Sequence, residues 1–179
     1  MVLKELDMKE KLLIIGAGGH GKVVAEIAED CGYNDIIFID DNSEVAVGRI
    51  EELEKFKEEF PNAIVSIGNN KLRESLILHL EKLEFNIPTL VHPSSYVSRS
   101  CLIRNGTVIE PKAIVNANSI IGKGCIISVG SVVDHDVIIG NCCHINSGSI
   151  VKAGAKVNDY VKLEAGEVVL GYETARVKK

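Results

Sequence analysis

The chain has 179 residues, enough for one large or two small domains. Its net charge of -5 gives no electrostatic case for nucleic acid, and no apolar run reaches the length of a membrane span. The opening MVLKELDMKEK is too charged for a secretion signal, so the sequence predicts a soluble, cytoplasmic protein.

In chain order, Lys11–Ile15 (KLLII) has the continuous apolar character of a buried strand. It runs into Gly16-Ala17-Gly18-Gly19-His20-Gly21 and then a helical pattern over Lys22–Asp30. Ile36–Asp40 (IIFID) is a second strand, Arg49–Phe60 has helical spacing that Pro61 stops, and Ala63–Ile67 is a third strand. Gly68-Asn69-Asn70 then leads into a helix over Leu72–Leu83. Strands alternating with helices imply parallel βαβ units. A full dinucleotide fold needs two βαβαβ halves. Only one is present, so residues 1–90 form a half-Rossmann-like domain sized for a mononucleotide.

From Val91 onward the pattern changes. A Val, Ile or Leu recurs at every sixth residue, fourteen times: Val91, Val97, Ile103, Ile109, Val115, Ile121, Ile127, Val133, Ile139, Ile145, Val151, Val157, Leu163 and Val169. A helix repeats every 3.6 residues and an open strand every two, so a period of six is neither. It predicts a left-handed parallel β-helix of hexapeptide repeats over residues 91–179, three hexads to each triangular coil, with aliphatic side chains stacked inside. Such a core explains why aromatics are scarce: four Phe, four Tyr and no Trp. There are five cysteines and no Cys-x-x-Cys. Cys101, Cys125 and Cys143 fall in the small-residue slot four positions after an aliphatic one, which predicts small buried hydrophobes. Adjacent Cys142 and Cys143 must face opposite ways.

Two constellations carry chemistry. Gly16-x-Gly18-x-x-Gly21 follows a strand and opens a helix, the setting in which glycines let the backbone and a helix N-terminus approach a phosphate. The same turn also serves as a tight strand-to-helix connection without a ligand. Asp40-Asp41 closes the second strand, where such folds often read a ribose or base. His20 sits in the glycine turn, placed for a polar ligand contact. The second constellation is Asp134-His135-Asp136 with His144, inside the repeat. His135 is off the aliphatic stack and flanked by carboxylates, which orient an imidazole and raise its basicity. The spacing of nine between His135 and His144 is half a coil, so the two point to different sides of one prism. His79 and His92 have the setting of structural residues.

Taken together, the Gly-Ala-Gly-Gly-His-Gly turn, the Asp-Asp pair and Val-Asp-His-Asp-x-x-Ile-Gly-x-x-x-His resemble bacterial sugar O- and N-acyltransferases. That family includes UDP-4-amino-sugar N-acetyltransferases and sialic acid O-acetyltransferases. The resemblance covers nearly the whole chain. It implies an acetyl-CoA-dependent acetyltransferase acting on an amino or hydroxyl group of a UDP-amino sugar or sialic-acid-type substrate in surface-glycan synthesis. It further implies a homotrimer, with the N-terminal domain holding the sugar, acetyl-CoA lying along the β-helix between subunits, and no metal. His135 then matches the catalytic base and Asp136 its assisting acid. His144 and Ala153 match acetyl-CoA contacts, and Gly18, Gly19, His20, Asp40, Asp41, Gly68 and Asn69 match sugar-nucleotide contacts.

The chain departs from that pattern twice. Ser128 stands where the family commonly has Asn, seven residues before the catalytic His. The C-terminus lacks a further coil, and Glu167 and Glu173 occupy small-residue slots, which predicts an imperfect last coil or a cap. The shortened end admits a non-catalytic sugar-nucleotide-binding protein with a reduced CoA site as the alternative. A zinc enzyme on the same scaffold would need three converging histidines.

Overall fold

The computed structural model describes residues 11–172. The charged start, residues 1–10, and the tail from Glu173 lie outside the described residues.

The first domain is a three-stranded parallel sheet: β1 (Lys11–Ile15) in the centre, β2 (Asp35–Ile39) on one side and β3 (Asn62–Val65) on the other. Side chains alternate across β1. Leu12 and Ile14 pack with Val24, Ile27 and Ala28 of α1 (Gly19–Asp30) on one face. Leu13 and Ile15 pack with Leu76, Ile77 and Leu80 of α2 (Asn70–Lys82) on the other. This is the two-layer burial that a continuously apolar central strand requires. The connection expected to be an α-helix over Arg49–Phe60 is instead a 3-10 helix over Ile50–Phe56. It has i→i+3 bonds such as Glu52 N–H to Arg49 C=O at 2.9 Å. The tighter coil fits a short return path: Leu53 is buried in the core, and the Phe56 ring lies against Gly48, where a Cβ would approach it to 2.8 Å.

From Leu90 the chain winds into a triangular prism of two-residue parallel strands. The first face contains β4 (Leu90–Val91), β7 (Val108–Ile109), β10 (Ile126–Ile127) and β13 (His144–Ile145). The second contains β5 (Tyr96–Val97), β8 (Ile114–Val115), β11 (Val132–Val133), β14 (Ile150–Val151) and β16 (Val168–Val169). The third contains β6 (Leu102–Ile103), β9 (Ile120–Ile121), β12 (Ile138–Ile139) and β15 (Lys156–Val157). All fourteen hexad aliphatics point inward and form one cluster with Ala113, Cys125, Cys143 and Ala155. Cys142 faces the other way, into the core beneath α2.

From Gly106 onward each corner has a residue with positive φ, and these recur every six positions: Gly106, Lys112, Asn118, Gly124, Gly130, Asp136, Cys142, Gly148, Gly154, Tyr160 and Gly166. That conformation suits Gly, Asn and Asp far better than other residues, which explains the corner composition. The corners also determine what the outside of the prism carries. The first face is covered from β4 through β10: Leu90 and Val108 join the α1 cluster, and Ile126 is equally buried, while His144 on β13 is half-buried. The second and third faces remain open and present apolar rows, Tyr96, Ile150 and Val168 on one, Leu102, Ile120 and Ile138 on the other.

The two parts are joined by Arg73 of α2, which is fully buried. Its guanidinium donates to the carbonyls of Gly124, Cys142 and Cys143 on the prism, and to Ile67 C=O and Asn70 Oδ1 on its own side.

Candidate active site

The three loops at the carboxyl ends of β1, β2 and β3 gather on one edge, where open α/β sheets hold ligands. Within the glycine turn the glycines divide into two kinds. A Cβ on Gly21 would sit 2.1 Å from Gly16 O, and Gly16 itself has φ +104 against Ser66, so these two are demanded by packing. Gly18 and Gly19 have nothing within 4 Å of a Cβ. Their bareness leaves a backbone concavity at the N-terminus of α1. No side chain caps that helix and its first turn has no acidic residue, so the turn suits an anion.

Asp40 braces this turn. Its Oδ2 accepts Ala17 N–H at 2.8 Å and its Oδ1 accepts Asn42 N–H at 2.8 Å. Asp41 accepts Ile50 N–H at 3.0 Å. Both acids line an open cleft of about 470 Å³ with Asn42, Ser43, Gly48 and Arg49, a size that small-molecule sites occupy. Gly68 opens onto free space, whereas Asn69 caps α2 by accepting Leu72 N–H at 3.0 Å. The glycine turn and acidic pair thus share one edge, with the Asn69 side chain committed to its helix.

His20 descends from the first turn of α1 onto the corner between the first and second faces of the prism. Its Nδ1 lies 3.5 Å from Glu110 Oε1, and its Nε2 is buried without a hydrogen-bond partner. His144, on the outside of β13, shares a 3.1 Å hydrogen bond through Nε2 with Ser128 Oγ, while its Nδ1 is likewise buried and unpartnered. Burial, seconded by the Arg73 charge, pushes both imidazoles down to about 4, so both are neutral at physiological pH. Burial also pushes the Glu110 carboxyl up.

His135 occupies a different place, the corner between β11 and β12, where the second and third faces meet. In a triangular prism this corner is opposite the first face, so His135 and His144 of one chain are on opposite sides. His135 Nδ1 pairs with Asp136 Oδ2 at 2.7 Å, a contact that raises the imidazole pKa and leaves Nε2 directed outward. Asp134 does not bond the ring. Its Oδ1 takes the His135 backbone N–H at 2.8 Å and the Asn116 amide at 3.3 Å.

Asp136 is held from the coils on either side. Asn118 donates to Oδ1 at 3.3 Å and the Tyr172 hydroxyl to Oδ2 at 3.4 Å. The Tyr172 ring reaches it across Gly154, where a Cβ would lie 2.1 Å from the ring. Ala153, the residue before, accepts Tyr172 N–H at 2.9 Å. Among the described residues no three His, Cys, Asp or Glu side chains gather to hold a metal ion.

The sequence alone did not single out Glu110, Arg73, Asn118 or Tyr172. Glu110 directly follows an inward aliphatic, a slot that elsewhere holds His92, Ser128 and Asn146, so an acid there is a faint signal. The others matter only through contacts between distant segments.

Fold and site together define a hexapeptide-repeat acyltransferase. The chain is 33% identical to the acetyltransferase domain of PglB from Neisseria gonorrhoeae FA1090, solved in complex with acetyl coenzyme A. The match has a TM-score of 0.86 and covers 90% of this chain and 82% of that one. The chain belongs to the family of bacterial sugar O- and N-acyltransferases. Residues 11–80 match the PglD N-terminal domain. A mutant of perosamine N-acetyltransferase from Caulobacter crescentus, in complex with CoA and GDP-perosamine, is 29% identical with a TM-score of 0.83, covering 90% of this chain and 89% of that one. UDP-N-acetylbacillosamine N-acetyltransferase of Bacillus subtilis (strain 168) is 29% identical over 109 residues, 55% of this chain. That match spans 50% of the length of the curated relative.

Proposed function

We propose that the protein transfers the acetyl group of acetyl-CoA to the amino group of a nucleotide-linked sugar, the sugar nucleotide lying on the N-terminal domain and acetyl-CoA on the prism. The observation that carries this reading is the His135–Asp136 pair at 2.7 Å on an exposed corner, its Nε2 free to take a proton. Two of the relatives named above, those from Bacillus subtilis and Caulobacter crescentus, are N-acetyltransferases by name, which favours nitrogen over oxygen as the acceptor.

The nucleotide phosphates meet the bare Gly18–Gly19 backbone, and the base and ribose lie toward Asp40, Asp41 and Gly68. Asn69 contributes its backbone, since its side chain is spent on the cap. His135 Nε2 removes a proton as the sugar nitrogen attacks the thioester carbonyl. Asp136 favours the imidazolium that results. The thioester oxygen gains negative charge, and a backbone N–H near Ala153 or the His144 imidazole stabilises it. When the carbon–sulfur bond breaks, the imidazolium returns the proton to the departing CoA thiolate, so the proton balance closes.

The site is completed by a second copy of the chain. His135 is on the corner opposite the face that bears His20 and His144, and apolar rows flank that corner on both sides. Contiguous exposed apolar surface of this kind marks an interface. A corner of one prism set against the covered face of the next is a heterologous contact, which closes as a ring, here a homotrimer. Among the described residues no helix is long and apolar enough to cross a membrane, which fits work in the cytoplasm on a soluble sugar nucleotide.

The direct test is free thiol release from acetyl-CoA with UDP- and GDP-linked 4-amino sugars, alongside mass analysis of the sugar. One acetyl group gained per thiol released is the expected result. Absence of thiol release with every amino and hydroxyl acceptor tested, from folded and assembled protein, overturns the assignment.

A further inference from the structure

Glu110 is a nearly buried carboxylate that the chemistry above does not use. It sits at the corner between the first and second faces, one residue past the inward Ile109, and is 6% exposed. Oε2 accepts Val129 N–H at 2.9 Å, and Oε1 faces His20 Nδ1 at 3.5 Å. Burying an acid with so few partners is costly, and a fold that retains one against a half-buried histidine whose Nε2 is shielded points to a role at that histidine.

Hydrogen-bond polarity gives the role. An ionised carboxylate can only accept, so Oε1 at 3.5 Å favours the tautomer with the proton on Nδ1, and Nε2 is then a lone-pair acceptor. That Nε2 is buried and has no protein partner. His20 belongs to the same helix turn as the bare Gly18–Gly19 backbone and is close enough to His144 for its charge to lower that ring's protonation. Ser128 engages His144 Nε2 and leaves that ring's Nδ1 open in the same recess. The recess lies where the glycine turn meets the prism, between the phosphate cradle and the face a neighbouring His135 would approach.

We propose that Glu110 is a positioning residue for the acceptor sugar: it holds His20 in the Nδ1–H tautomer, so that His20 Nε2 takes a hydrogen bond from a hydroxyl or amine of that sugar. This rests on the acetyltransferase reading, and it narrows the substrate to sugars that bear a donor at the position facing His20. A deoxy sugar at that position would leave Nε2 unpaired and bind poorly.

Glu110→Gln separates this from a structural role. The amide oxygen keeps the Val129 N–H bond, and its NH2 then faces His20. Nδ1 must become the acceptor, which moves the proton to Nε2 and sets donor against donor at the sugar. Two-bond 15N–1H spectra of the labelled full chain should show His20 as Nδ1–H in the wild type, Nε2–H in Glu110→Gln and Nδ1–H in Glu110→Asp, which keeps an acceptor-only group. The KM for the nucleotide amino sugar should rise ~10- to 100-fold in Glu110→Gln, with the acetyl-CoA KM and the melting temperature little changed. A wild-type His20 protonated on Nε2, or an acceptor KM unmoved in Glu110→Gln, overturns the proposal. Should Glu110→Gln fail to fold, the wild-type and Glu110→Asp tautomers decide: Nε2–H in either one overturns it. The spectra need no turnover, so a protein that acetylates no sugar at all would refute the acetyltransferase reading without being mistaken for failure at Glu110.

Discussion

Arg73→Met tests the link between the two domains. The wild-type guanidinium is fully buried without a carboxylate partner and is neutralised by oxygen dipoles: Gly124 O at 2.7 Å, Ile67 O at 2.7 Å, Asn70 Oδ1 at 2.7 Å, Cys142 O at 3.0 Å and Cys143 O at 3.2 Å. Two effects oppose each other. Removing a buried charge recovers its desolvation cost, and replacing a whole buried ion cluster by apolar groups is often neutral. Here, however, the oxygens stay behind. Cys143 O keeps the Ile126 N–H, so the carbonyls of Gly124, Cys142 and Ile67 bear the loss. At roughly 1–2 kcal/mol for each of the three buried acceptors left short of a partner, the sum is about 3–6 kcal/mol. That is a large part of the ~5–15 kcal/mol that holds a domain together. Arg73→Lys should recover only part of it, since an ammonium offers three donors from one point in place of a planar fork. Urea unfolding at one fixed protein concentration measures both, the concentration being held because assembly contributes to stability. A Met variant within about 0.5 kcal/mol of wild type would show instead that the apolar contacts alone align the domains.

The His135–Asp136 pair should behave as a base and its orienter. His135→Ala should lower kcat by about 10²–10⁴ without loss of fold, and Asp136→Asn should move the acidic limb of the rate profile to lower pH, because the lost carboxylate had raised the imidazole pKa; a limb that moves up or stays put contradicts the assignment. Asp40→Ala frees Ala17 N–H and loosens the glycine turn, so steady-state kinetics should show a higher acceptor KM beside an unchanged acetyl-CoA KM. His20 and His144 are pushed down to about 4 in the folded chain. Between that value and the ordinary 6.5 the unfolded chain binds more protons, so stability is full above 6.5 and falls as pH drops through the window, by at most about 1.4 kcal/mol per pH unit for each residue. Denaturation at pH 7 and pH 5 should show the loss, and a double His20→Gln, His144→Gln variant should lack most of it.

How much the sequence reveals depends on how local the cause is. The prism is legible because each coil repeats the same packing problem, and a side chain at Ile127 meets Ile109 above and Ile145 below whatever else the chain does. The glycine turn is legible for a similar reason, since Gly21 is required by the backbone of Gly16 only five residues away. The Arg49–Phe60 segment looks helical by spacing, but the short return from β2 to β3 winds it into the tighter 3-10 form. Spacing alone places His135 and His144 half a coil apart, and the prism puts them on opposite sides. The contacts of His20 with Glu110, Arg73 with the prism carbonyls and Tyr172 with Asp136 were not legible. Each joins segments 36 or more residues apart, and no local pattern records which side chains a fold will bring together.

The proposed active site pairs His135 of one chain with the His20–His144 face of another. Chains with His135→Ala and chains with His144→Ala, each inactive alone, can be mixed, dissociated and reassembled. In mixed assemblies some interfaces pair an intact His135 with an intact His144 from its neighbour. Acetyl-CoA turnover should return in proportion to such interfaces. If exchanged subunits form mixed assemblies and wild-type chains regain activity by the same procedure, yet the mixture stays inactive, the site lies within one chain and the interfacial geometry is wrong.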